Sequence, residues 1–339
     1  MPRPLQAGTA PPPPTVVRTA FQALYLSERD TAAVLADPLT LVAFGFGQQP
    51  APWDAPHWLQ VPLDIHGTAR IEVWRGDTPA ERGRCGRIRW SRNEALQFAA
   101  IEVDEAGGDI ESAAAAAYSE LSAFISRSEH QHLLRTWNYL DAITEGAGDN
   151  ERYRQFCLGR VRGLRGVDDN AMPAATCIGC FDGRRRVQVY WLSARVPGQP
   201  LENPRQVSAY AYPRQYGPQS PSFARGMLPS TASGLPLLQS GTAAIVGHRS
   251  QHEGQVLLQL EETLANLQSL IDHARQLRPA LAATLGPQSL LKVYVRDMAD
   301  AETVRNRLHR YGITDANMLV LHGEVCRAEL LVEIESLHG

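Results

Sequence analysis

Along the second half of the chain, apolar positions switch between two spacings. Residues 238–246, 290–295, 318–325 and 330–337 carry apolar side chains in short runs or at every second place, as strands do, with Val332 and Ile334 marking the alternation in the last. Between them, residues 255–277 set Val256, Leu260, Leu264, Leu267 and Ile271 on one stripe at helical spacing, and residues 300–311 predict a second helix. The first half repeats this order. Strands are expected at 88–90 and 96–103, a helix at 110–126, a strand at 133–140, a helix at 150–162, and strands at 174–180 and 187–192. Residues 134–139 (Leu-Arg-Thr-Trp-Asn-Tyr) stand where residues 291–296 (Leu-Lys-Val-Tyr-Val-Arg) stand in the other half. Identity between the halves is slight, so the order and type of elements carry the expectation of a duplication. Each copy would be an α+β unit, a mixed sheet with two helices packed on one face. The proline-bounded stretch 197–204 is the expected boundary, which divides the chain into a Pro-rich tail (1–18), a first domain (19–200) and a second (201–339).

One stretch breaks both periods. Residues 208–226 carry Tyr210, Tyr212, Tyr216, Arg214 and Arg225 on a backbone interrupted by Pro213, Gly217, Pro218 and Pro221. The breakers exclude a long helix and predict a stiff loop. Phenols offer flat apolar walls with a polar tip, and guanidiniums offer a planar fork for carboxylate or phosphate. The loop therefore reads either as a pocket for a small ring-shaped anion beside the domain seam, or as an interface or packed surface loop. The halves also differ at their last strands: with Val187 opposite Val332, Gln188 faces Glu333 and Tyr190 faces Glu335. Carboxylates in one copy fit either chemistry confined to that copy or a charged outward strand face.

Composition narrows the partners. A net charge of −3 over 339 residues gives no basic field for nucleic acid or an anionic membrane, and no apolar run is long enough to span one. Five cysteines in a chain large enough to fold without staples point to a reducing cytoplasm. Cys177-Ile-Gly-Cys180 has metal or redox spacing but no second pair, and reads as structural; His130 and His132 read as surface histidines. No metal or cofactor motif stands out, and Ala113 to Ala117 reads as helix propensity alone.

The segments Gly241-Thr-Ala-Ala-Ile-Val-Gly247, Gln259-Leu-Glu-Glu-Thr-Leu-Ala-Asn-Leu267, Leu291-Lys-Val-Tyr-Val-Arg-Asp297 and Leu330-Leu-Val-Glu-Ile-Glu335 resemble the RidA/YjgF (chorismate-mutase-like) fold. With Arg135-Thr-Trp-Asn-Tyr-Leu140, Arg152-Tyr-Arg-Gln-Phe-Cys-Leu-Gly-Arg160, residues 208–225 and residues 324–334, about two thirds of the chain resembles the chorismatase family. The resemblance implies two tandem RidA-like domains and an enzyme that removes pyruvate from chorismate without metal or cofactor. It implies that Glu333 is the acid, and that Cys326 and Gly241 mark the branch that yields an aromatic acid. That product would be 3-hydroxybenzoate, with 4-hydroxybenzoate beside it as in the xanthomonadin-pathway members, supplying pigment and quinone synthesis. Arg225, Arg296 and Arg160 would hold the carboxylates, and Tyr212 and Tyr216 would orient the ring. Chorismate is thus the expected partner, with neither nucleic acid nor membrane, and a homo-oligomer is compatible. The rival readings are a chorismate hydrolase giving a non-aromatic diol, a RidA-like imine deaminase and a non-catalytic metabolite sensor.

Overall fold

The computed structural model describes residues 21–49, 53–164 and 171–339. The expected Pro-rich tail (1–18) lies outside them. Strands β1 (Phe21–Ser27), β2 (Thr40–Phe46), β3 (Trp58–Val61) and β4 (Arg70–Gly76), with helix α1 (Thr31–Ala36), build a first sheet of order β1-β4-β2-β3. A second sheet, β5-β6-β7-β10-β8-β9, is built from β5 (Glu81–Cys85), β6 (Ile88–Arg92), β7 (Leu96–Asp104), β8 (His132–Asp141), β9 (Ala174–Cys180) and β10 (Arg186–Ala194), with α2 (Ile110–Ile125) and α3 (Arg152–Gly163). The third sheet contains β11 (Gln199–Leu201), β12 (Gly226–Leu228) and β13 (Leu237–Ala243). After a small ribbon, β14 (Ile245–Val246) and β15 (Arg249–Ser250), come α4 (Val256–Leu277), β16 (Ser289–Val295), α5 (Ala301–His309), β17 (Met318–His322) and β18 (Val332–His338). Its order is β11-β12-β13-β18-β16-β17.

The two larger sheets share one topology. The last strand of each (β10, β18) lies in the middle, antiparallel to both neighbours, and each edge strand after the second helix (β9, β17) runs parallel to its neighbour. The fold is therefore α+β with two tandem sheets of one topology, as the periodicity predicts and as the resemblance to the RidA-like fold implies. The first sheet was not anticipated. Its β1, β4, β2 and β3 follow the order of β7, β10, β8 and β9, with β2 and β3 parallel, but with a six-residue helix in place of α2 and, among the described residues, no counterpart of α3.

The inner faces of all three sheets meet in one core, to which the first contributes Phe44 and Trp74, the second Phe98, Trp137 and Tyr190, and the third Leu238, Tyr294 and Leu321. Backbone bridges Ile65–Leu321 and Ala174–Ala224 and the bond from the Tyr190 hydroxyl to the Gln60 carbonyl (2.6 Å) link the sheets pairwise. Helices α2 and α3 pack closely enough that a Cβ at Gly159 would lie 2.1 Å from the Glu111 carbonyl oxygen. The facing residues Ala114 and Ala117 are fully buried, so the alanine run is a packing surface as well as a helix former. His130 is likewise no surface residue: it is buried, with Nε2 3.0 Å from the Asn93 carbonyl. Among the described residues no helix is long and apolar enough to cross a membrane.

Candidate active site

A cavity of about 300 Å³ opens where β9 and α3 of the second sheet face β13, β18 and the 208–226 loop of the third. Glu333, Cys326, Tyr212, Tyr216, Arg225, Arg160 and Gly241 all line it. The loop contains no long helix, but its prolines leave room for two single 3₁₀ turns, Ala209–Ala211 and Arg214–Tyr216. Ser220 Oγ donates to the Tyr212 carbonyl (2.9 Å) and fastens the loop on itself. Tyr212 and Tyr216 face inward with ring centroids 5.4 Å apart, whereas Tyr210 is exposed and Arg214 pairs with Asp149 at the surface (2.6 Å).

Glu333 brings a buried carboxyl to the cavity wall. It stands on the central strand β18, is only 6% exposed, and accepts no hydrogen bond from any described residue. Burial, reinforced by the neighbouring Glu335 carboxylate, pushes its carboxyl up to about 8 against the pull of Arg225 and Arg135. It is therefore a protonated acid at neutral pH. Gly241 gives it space, because a Cβ there would lie 2.0 Å from Glu333 Oε1. The register between β13 and β18 shifts between Gln239 and Thr242, and the freed Gly241 N–H donates to Thr176 Oγ1 (3.1 Å). An alanine at 241 would force the carboxyl out of its position.

Three arginines surround the cavity without a carboxylate partner among the described residues. Arg225, 4% exposed, donates from Nη2 to the Tyr212 hydroxyl (2.6 Å) and the Val207 carbonyl (3.0 Å), while its buried Nε has no partner. Arg160, 3% exposed, lies over the Tyr118 ring and reaches Thr136 Oγ1 (3.4 Å), again with an unpartnered Nε. Arg327 stacks 3.9 Å above the Tyr216 ring centroid and donates from Nη1 to the His248 carbonyl (3.0 Å) and Ser250 Oγ (3.1 Å). Burying guanidiniums without a counter-ion is costly, so the cavity suits an anion. The apolar walls of Tyr212, Tyr216 and Phe223 suit a ring.

Cys326 lies against this acid. Burial first, then Glu333, pushes its thiol up to about 12, so it is a neutral S–H group and no thiolate nucleophile.

Residues 72–193 match the family model described as Chorismatase FkbO/Hyg5-like, N-terminal. A chorismatase from Streptomyces rapamycinicus is 36% identical over 286 residues, which is 80% of this chain and 85% of that protein. A 3-hydroxybenzoate synthase from Streptomyces hygroscopicus is 35% identical over 276 residues, 78% and 80% of the two chains. The chain belongs to the chorismatase family. A chorismatase crystal structure superposes with a TM-score of 0.82 at 30% identity, over 96% of this chain and all of that one.

One residue expected in this chorismatase-type site is elsewhere. Arg296 does not line the cavity; it donates to the carbonyls of Leu330 (2.9 Å), Val325 (2.6 Å) and Arg327 (2.9 Å) and pairs with Glu324 (3.1 Å). These bonds hold the loop that presents Cys326 and Arg327, so the Arg296 guanidinium positions that loop and stands outside the cavity. Arg327 and Cys177 are among the lining residues that escaped the sequence reading. Arg327 adjoins Cys326 and looked like any loop arginine. Cys177 was set aside with its Cys-x-x-Cys neighbour, but on a strand the two side chains point to opposite faces, and Cys177 alone reaches the cavity.

Proposed function

We propose that this protein removes pyruvate from chorismate and releases 3-hydroxybenzoate, with 4-hydroxybenzoate as a second product. The observation that carries the reading is one cavity holding a buried, protonated Glu333 and three arginines without carboxylate partners. Its relatives, a chorismatase and a 3-hydroxybenzoate synthase, support it. The arginines would hold the two carboxylates of the dianion, and Tyr212 and Tyr216 its ring. Pyruvate loss begins by protonating the enol-ether methylene, a step that needs an acid still protonated at neutral pH, as Glu333 is. The ether C–O bond then breaks and pyruvate departs. The neighbouring ring hydroxyl closes on the vacated carbon with loss of its proton, giving an epoxide-like intermediate. Opening that ring takes up a second proton on its oxygen, and losing a ring proton gives the aromatic acid, so two protons are taken up and two released while one substrate carboxyl accompanies pyruvate and the other stays on the ring. Cys326, as a neutral S–H beside the acid, would assist ring opening.

The purified protein mixed with chorismate tests this by pyruvate release and by chromatography of the organic product. One pyruvate per 3-hydroxybenzoate or 4-hydroxybenzoate formed is the expected result. Pyruvate accompanied only by a non-aromatic diol would defeat the aromatising reading, and no pyruvate would defeat the enzyme reading. Cys326→Ala should keep pyruvate release but shift the product away from 3-hydroxybenzoate, toward 4-hydroxybenzoate or the diol; an unchanged profile contradicts the role given to the thiol.

A further inference from the structure

The repeated topology places a second cavity at the equivalent position one sheet earlier. In the active site, Glu333 on β18 pairs with Ala243 on β13, and Cys177 on β9 closes the far wall. One copy back, Gln188 on β10 pairs with Glu102 on β7, and Gln60 on β3 of the first sheet takes the place of Cys177. Gln188, Glu102 and Gln60 all line a cavity of about 310 Å³ between the first and second sheets. The segment that precedes β10 contributes Arg184, and the first residue of β10 is Arg186, where the segment that precedes β18 contributes Cys326 and Arg327. The β5–β6 hairpin, in place of the 208–226 loop, contributes Arg84, Arg87 and Arg89.

The lining holds five guanidiniums and one carboxylate. Glu102 is shared by Arg89 (3.2 Å) and Arg186 (2.9 Å), while Arg186 also reaches Asp182 (3.3 Å), outside the lining. Arg84 and Arg87 are half-exposed and reach away to Asp54 and Glu120, also outside it, and Arg184 has no ion pair among the described residues. Arg186 Nε and Gln60 Oε1 are buried without a hydrogen-bond partner. Gln188, buried and neutral, stands at the position of Glu333 and cannot supply a proton as a carboxyl can, and the one carboxylate of the lining, Glu102, is held by two arginines. The cavity also lacks the aromatic walls of the active site.

We infer that this cavity is a non-catalytic binding site for a small, multiply charged oxyanion, such as a phosphate ester or a polycarboxylate, held by forked guanidinium contacts and by no ring stacking. Titration calorimetry of the full chain with inorganic pyrophosphate and, separately, citrate tests it and distinguishes the two oxyanion sources. At least one should bind saturably with a Kd of about 1 mM or tighter, the range that a few charge-assisted hydrogen bonds support. The triple variant Arg84→Gln, Arg87→Gln, Arg184→Gln should weaken binding at least about tenfold. Gln188→Glu, which adds a carboxylate to the lining, should do the same. The triple variant should keep the wild-type melting temperature, since its three arginines are exposed and carry little of the fold. Arg225→Gln, in the active site, should leave pyrophosphate and citrate binding unchanged. The inference fails if neither anion binds saturably, if the triple variant binds as the wild type does, or if Arg225→Gln alone removes the binding.

Discussion

Two glutamates on one strand show how the fold separates structure from chemistry. Glu333 and Glu335 stand two residues apart on β18 and both are buried. Glu335 points into the core shared by the three sheets and is fully provided for: it receives Arg135 Nη2 (2.9 Å), Trp137 Nε1 (2.9 Å) and Thr176 Oγ1, and pairs with Lys292 (2.8 Å). Lys292 in turn pairs with Glu72 of the first sheet (2.9 Å), so one charge network ties all three sheets. Against the upward push of burial, Lys292 and Arg135 hold the Glu335 carboxyl down to about 2. Glu333 meets the same burial without those partners and rises to about 8. The difference lies in partners, and a buried carboxyl left without hydrogen-bonding ones is the feature on which the proposed acid role of Glu333 rests.

The two carboxyls also couple to folding with opposite sign. Glu335 is depressed from an ordinary 4.5, so its stabilisation is present above that value and lost as the pH falls toward about 2. Glu333 is raised from 4.5, so the stability its protonated form confers is complete at low pH and lost as the pH climbs through about 8.

Exchanging each glutamate for its amide sharpens the contrast. Glu333→Gln keeps the shape but cannot donate the proton; pyruvate release should fall about 10²–10⁴-fold while chorismate binding, measured by calorimetry, persists. Near-normal turnover would remove Glu333 from the role of acid. Glu335→Gln should act on the fold instead. Leaving Lys292 and Arg135 short of a counter-charge should cost about 3–5 kcal/mol in a denaturant melt; a melt within error of the wild type would mean the network is dispensable. Arg225→Gln should have the smallest effect: losing one charge-assisted contact of about 1.5–3 kcal/mol should raise KM roughly 10–100-fold, with little change in kcat. A loss confined to kcat would place Arg225 on the transition state and not on a bound carboxylate.

Much of this layout was legible in the chain because local pattern decides local elements. The strands and helices from residue 88 onward follow period 2 or period 3.6, and their repeated order predicts the shared topology of the two larger sheets. The first sheet escaped because the repeat that reveals the other two is cut short there: the six-residue α1 stands where the second sheet has the sixteen-residue α2, too short to show a helical stripe. In the cavity, the tyrosines and Arg225 announced themselves by clustering in a loop that has no regular period. Arg296 misled because a strand-end arginine looks the same whether it serves a ligand or backbone carbonyls. The Glu335 network was beyond reach, since its partners come from residues 135, 137, 176 and 292 and only tertiary packing brings them together.

The central claim, that Glu333 is kept protonated at neutral pH in order to start the reaction, is tested most directly by the pH dependence of kcat/KM for pyruvate release from chorismate. The free protein's acid governs this quantity. It should hold a plateau through neutrality and fall above an apparent pKa near 8, as Glu333 loses its proton. A profile that falls instead through the ordinary carboxylate range near 4.5 would contradict the account.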